Sequence, residues 1–101
     1  MRQLKTKPFD PAEYLDDHEA IAAYMTEALE TADPAFVADA LGIVARARGM
    51  SEIARAAGVS RESLYRALSA EGSPKFDTVL RVMHALGLRF SASPMRRKRV
   101  A

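Results

Sequence analysis

At 101 residues and with no cysteine, the chain has room for one modest core, and disulfide frameworks, thiolate zinc sites and cysteine nucleophiles are excluded. Hydrophobic residues make up 49%, enough to fold, yet no apolar run reaches the roughly 18 residues of a membrane span and the start MRQLKTKPFD lacks the apolar stretch of a leader, so a soluble, cytoplasmic domain is expected. The net charge of +2 hides an asymmetry: residues 1–40 hold nine acids against three bases, whereas residues 41–101 hold twelve bases against four acids.

Residues 1–9 are read as an extended or disordered lead-in. Asp10-Pro11-Ala12-Glu13 combines a cap, a proline at a first helical position and a glutamate three residues after the cap, the punctuation of a helix start that Tyr14 and Leu15 continue for one short turn. Asp16 or Asp17 then caps a longer helix, with Ile21, Tyr24, Met25 and Leu29 at helical spacing and an end near Thr31. Asp33-Pro34 repeats the cap-plus-proline start, Phe36, Val37, Ala40, Leu41, Val44 and Ala45 form the next apolar face, and Gly49 closes that helix as a left-handed residue. Ser51 opens a short helix to Ala57, closed by Gly58; Ser60 caps another that ends near Ser69.

Ser73-Pro74 begins the last helix, with Phe76, Val79, Leu80, Val82, Met83 and Leu86 as its buried stripe and Gly87 as its stop. Beyond Gly87 the period falls from 3.6 to 2: Leu88, Phe90 and Ala92 alternate with Arg89, Ser91 and Ser93, the pattern of a short strand. A lone strand cannot satisfy its own backbone, so residues 3–9, a second copy or a partner's sheet edge must pair with it. Residues 94–101 read as a basic, disordered tail, either an arm that tracks phosphates or a solubilising end. The expected fold class is all-α, a bundle of five to six helices over residues 10–93 with a short C-terminal β-strand.

The informative stretch is MSEIARAAGVSRESLYRAL, within a helix-turn-helix expected over residues 50–69. Two helices crossing steeply at a tight turn need a small residue at the crossing, a residue tolerant of positive φ in the turn and an apolar residue facing back to the core. Ala54, Gly58 and Leu64 meet these demands in order, and Ile53, Ala57, Val59 and Leu68 fill the other inward positions. An ordinary helical hairpin has the same inward pattern. The outward face of the second helix separates the two readings, because it carries Arg61, Glu62, Ser63, Tyr65 and Arg66. In a major groove, Arg61 and Arg66 would each bond guanine O6 and N7, Glu62 would accept from a cytosine amine or orient an arginine, and Ser63 and Tyr65 would meet a phosphate or a thymine methyl. Ser60 is the cap, and Ser51, Arg55, Tyr65, Ser69, Ser73 and Lys75 are candidates for phosphate contacts or caps; Arg55 and Lys75 read equally well as solvated surface.

Residues 9–93 resemble the HigA-like addiction-module antidote proteins of the Xre, or lambda-repressor-like, helix-turn-helix superfamily. The stretches that carry the resemblance are FDPAEYLDD, EAIAAYMTEALE, ARARGMSEIARAAGVSRESLYRALS and SPKFDTVLRVMHALGLRFSASP. It implies an antitoxin of a type II toxin–antitoxin pair. Such a protein neutralises a small basic toxin similar to RelE or HigB, an mRNA-cleaving ribonuclease, and represses its own operon as a homodimer on palindromic double-stranded operator DNA. The family's base-reading positions map to Arg61, Glu62, Ser63 and Arg66. Met50 stands where many relatives carry threonine or glutamine. The acidic segment 10–39 has two readings: a complement to the basic toxin, or a face that keeps the chain soluble. The rival functions are a stand-alone Xre-type regulator with no toxin and a protein-interaction module.

No enzyme is expected, and no catalytic, metal or cofactor site. His18 and His84 have no partner at ligand spacing, Ser60, Ser63 and Tyr65 have no base placed beside them, and Asp16 and Asp17 are helix-start residues. Met25, Met50 and Met83 read as core filler.

Overall fold

The computed structural model describes Asp17 to Met95. The expected helix start at Asp10, the lead-in 1–9 and the tail from Arg96 lie outside the described residues. Within them the chain is all-helical: α1 (His18–Glu30), α2 (Pro34–Arg48), α3 (Met50–Ala57), α4 (Arg61–Ala67) and α5 (Phe76–Ala85).

The two long helices start on their expected caps. The Asp17 carboxylate accepts from the Ala20 N–H at 2.7 Å, and the Asp33 carboxylate accepts from the Ala35 N–H at 3.1 Å with Pro34 opening α2. Between them Thr31 is a clamp: its hydroxyl donates to the Ala28 carbonyl at 2.6 Å and accepts from the Asp33 N–H at 3.1 Å. The chain reverses through Ala32, whose φ of +55° is left-handed for a residue with a Cβ and stores about 1–2 kcal/mol of strain.

α1 packs on α2, α2 on α3, and α3 on both α4 and α5. Their shared core holds Ile21, Met25, Leu41, Val44, Leu64, Leu68, Val82 and Leu86, all but sealed from solvent; each such side chain contributes roughly 1.5–3 kcal/mol. No polar or charged side chain is buried among the described residues. Tyr24 lies at the core's edge; burial first, then the nearby Asp39 carboxylate, raises its hydroxyl above the usual tyrosine pKa.

Three helix boundaries differ from expectation. Gly49 (φ +110°, ψ +99°) lies outside the left-handed helical region, and as a one-residue link it ends α2 and begins α3. Helix α3 therefore starts at Met50, and Ser51 sits exposed inside it with no capping bond. Ser73-Pro74 does not open α5, which starts at Phe76 with Lys75 before it; a residue preceding proline is held away from helical geometry, and Pro74 lines a surface groove together with Phe76 and Val79. Helix α4 ends at Ala67 because Leu68 turns out of helical geometry (φ −96°, ψ +63°).

Residues 88–93 form no strand among the described residues. Leu88 and Phe90 do turn inward while Arg89 and Ser91 face solvent, but Ala92 is exposed like its neighbours, so the alternation ends at Phe90; a ladder also needs a second strand, and none of the described segments supplies one. The apolar faces of α1, α2 and α5 are also wider than the core covers: Leu29, Phe36, Phe76 and Leu80 stay exposed. α5 buries Val82 and Met83, and Leu86 is buried just past its end, which leaves Phe76 and Leu80 outside.

Gly42 of α2 is required by a close approach. A Cβ at this position would collide with the backbone carbonyl oxygen of Leu68, so the end of α4 rests directly on the backbone of α2. Helix propensity alone favours alanine over glycine by about 1 kcal/mol, but overpacking against an immobile backbone group costs about 1–3 kcal/mol or more. Gly42→Ala is therefore expected to lower the urea midpoint, and an unchanged or raised midpoint would refute this seat.

Candidate nucleic-acid interface

The turn between α3 and α4 is built by backbone hydrogen bonds. Gly58 takes φ +76° and ψ +27°; its N–H donates to the Arg55 carbonyl at 3.2 Å, and the Val59 N–H reaches back to the Ala54 carbonyl at 3.0 Å. This paired closure is a Schellman motif, which needs a left-handed residue at the glycine position. Val59 then packs on the core, and Ser60 restarts the helix at once, its hydroxyl oxygen accepting from the Ser63 N–H at 3.0 Å.

The inward set meets in the core as expected. Ile53, Ala54, Ala57, Leu64 and Leu68 are buried, with Leu64 1% exposed, so α4 is anchored by one face and has no rotational freedom to hide the other. That other face is open: Arg61, Glu62, Ser63, Tyr65 and Arg66 are all exposed. Arg61 and Arg66 make no salt bridge among the described residues.

The candidate phosphate residues fare unequally. Ser51 and Arg55 are exposed on α3, the helix packed against α4. Ser69 is half-buried, and its hydroxyl donates to the Arg66 carbonyl at 3.1 Å; it satisfies the C-terminus of α4. Ser73 and Lys75 are exposed on the loop before α5, outside the α3–α4 pair. Among the described residues no group of three or more His, Asp or Glu side chains is placed to hold a metal, and no helix is long and apolar enough to cross a membrane.

One contact was not legible from spacing. The Arg46 guanidinium carbon lies 5.6 Å from the centroid of the Tyr65 ring, within range of a cation–π interaction. Arg46 belongs to the last turn of α2 together with Arg48, where basic residues read simply as complements to the helix dipole. The tertiary fold brings that turn to the exposed face of α4, so the basic surface spans two helices and Tyr65 is held by the first of them. An exposed contact of this type contributes about 0.5–1 kcal/mol. Arg46→Ala is expected to lower the melting temperature slightly and to shift the NMR resonances of the Tyr65 ring, with Arg46→Lys intermediate; an unmoved ring would refute the contact.

Comparison with known proteins covers almost the whole chain. Residues 5–94 match a family described as "Probable addiction module antidote protein". An uncharacterized protein of Haemophilus influenzae is 50% identical over 90 residues, spanning 89% of this chain and 93% of the relative. No solved structure gives a significant match.

Proposed function

The chain belongs to the probable addiction module antidote family, and from that premise we propose that it is a DNA-binding antitoxin: it neutralises a basic toxin of the RelE or HigB kind, an mRNA-cleaving ribonuclease, and represses its own operon as a homodimer through α3 and α4. The observation that carries the DNA reading is the split character of α4, with Leu64 sealed in the core and Arg61, Glu62, Ser63 and Arg66 presented together to solvent. Side chains so displayed on a helix fixed by a capped tight turn suit a major groove. Arg61 and Arg66 pair with guanines, Glu62 accepts from a cytosine amine or orients an arginine, and Ser63 completes the reading edge. Tyr65, Ser51 and Arg55 face the phosphates on either side. Dimerisation follows from size, since one seven-residue helix buries too little to read an operator tightly alone.

A gel-shift on the DNA upstream of the chain's own reading frame tests this. Arg61→Ala and Arg66→Ala are each expected to weaken specific binding roughly 5- to 150-fold, and wild-type affinity should fall steeply as salt rises. Unchanged binding by both variants would remove these residues from the interface, and a flat salt response would argue that the basic surface does not meet phosphates. The partner half has a separate test. Co-expression with the product of the adjacent reading frame should relieve that product's toxicity and yield a stable complex; two proteins that purify apart would favour a stand-alone regulator.

A further inference from the structure

Beside the α1–α2 junction an apolar groove of about 320 Å³ opens to solvent, walled by Leu29, Val37, Leu41, Phe76, Val79 and Phe90. Phe76 and Phe90 form one side, their ring centroids 6.0 Å apart, and Phe76 is 68% exposed. Among the described lining residues Ser73 alone has a polar side chain. Contiguous exposed apolar surface of this kind on a small domain marks an interaction site, and a concave one suits a bulky apolar anchor from a partner.

Charge selects the occupant. From Asp17 to Ala45 the sequence holds six acids, Asp17, Glu19, Glu27, Glu30, Asp33 and Asp39, and no lysine or arginine. These acids belong to α1, α2 and their caps, the helices that form one wall of the groove; the exposed Lys75 and Arg89 adjoin Phe76 and Phe90 on the other wall, so the acidic field belongs to the α1–α2 side. A second copy docked here by a two-fold axis would bring its own acidic helices against the first set, because a two-fold contact pairs a patch with itself, and like charges so juxtaposed oppose association. A basic partner would be drawn in by the same field. No lining residue comes from α3 or α4, so filling the groove does not itself engage the exposed side chains of those helices.

We propose that this groove is the docking site for the toxin, receiving a bulky apolar side chain of a basic protein whose charge is matched by α1 and α2. The inference rests on the antitoxin reading and adds a place to it. The test uses the full chain and the product of the adjacent reading frame. With the photo-crosslinker p-benzoylphenylalanine at position 76, the expected adduct is to that product. Phe76→Ser should weaken the complex roughly thirtyfold, the loss typical of a central anchor, while Phe76→Leu retains most of the affinity and both variants shift operator DNA like the wild type. An adduct to a second copy or to residues 1–16 of the same chain would overturn the proposal, as would unchanged affinity of Phe76→Ser; in each case a wild-type complex still forms and the antitoxin reading stands. Absence of any complex with the wild-type chain would instead bring down that reading, and the docking site with it.

Discussion

The close approach of the Leu68 carbonyl to Gly42 is the constraint on which the rest of the arrangement depends. α4 has only seven residues, too short to hold itself in water, so its shape and direction come from what it rests on. At its start the Ser60 cap and the Gly58 turn fix it to α3. At its end the backbone of α2 receives it, and the absence of a single methyl group lets Leu68 turn out of the helix and into the core. With both ends fixed and Leu64 sealed beneath, the outward face of α4 becomes a property of the fold rather than of the helix.

What could be read from the sequence was what is decided locally. Asp17, Asp33-Pro34, Gly58 and Ser60 work within a few residues of themselves, and each does in the structure what its chemistry predicts. The inward set of the α3–α4 pair was legible for the same reason, since a tight turn leaves few alternatives for Ala54 and Leu64. Elsewhere local signals competed and one lost. Ser51 and Ser73 are good capping residues, but the single-residue link at Gly49 and the packed Pro74 left neither a helix end to cap. The exposure of Phe76 and Leu80 could not be read from periodicity, which says which residues share a face but not whether another element covers it. The Arg46–Tyr65 contact joins residues nineteen positions apart on two helices, and spacing contains no trace of it. A period of two in 88–93 likewise states a preference for pairing without supplying the pair.

Two chemically distinct surfaces result. One is basic and lies on α4 with the end of α2; the other is acidic and apolar and lies on α1, the start of α2 and the first turn of α5. Because α2 contributes to both, with Phe36 and Val37 at one end and Arg46 and Arg48 at the other, its 15 residues bridge the two regions along roughly 22 Å of helix. A single rigid element therefore links the place assigned to a protein partner with the place assigned to DNA.

The wholly apolar interior has a consequence for how the molecule answers its surroundings. With no buried charge or polar side chain among the described residues, cohesion of the fold rests on dispersion and the hydrophobic effect, which added salt leaves intact or strengthens. The charged contacts it offers outward, from the arginines of α4 and the acids of α1 and α2, are screened over about 8 Å at physiological ionic strength. Internal order and external grip thus answer to different solution variables: rising salt would strip the molecule from a charged partner while leaving its architecture whole.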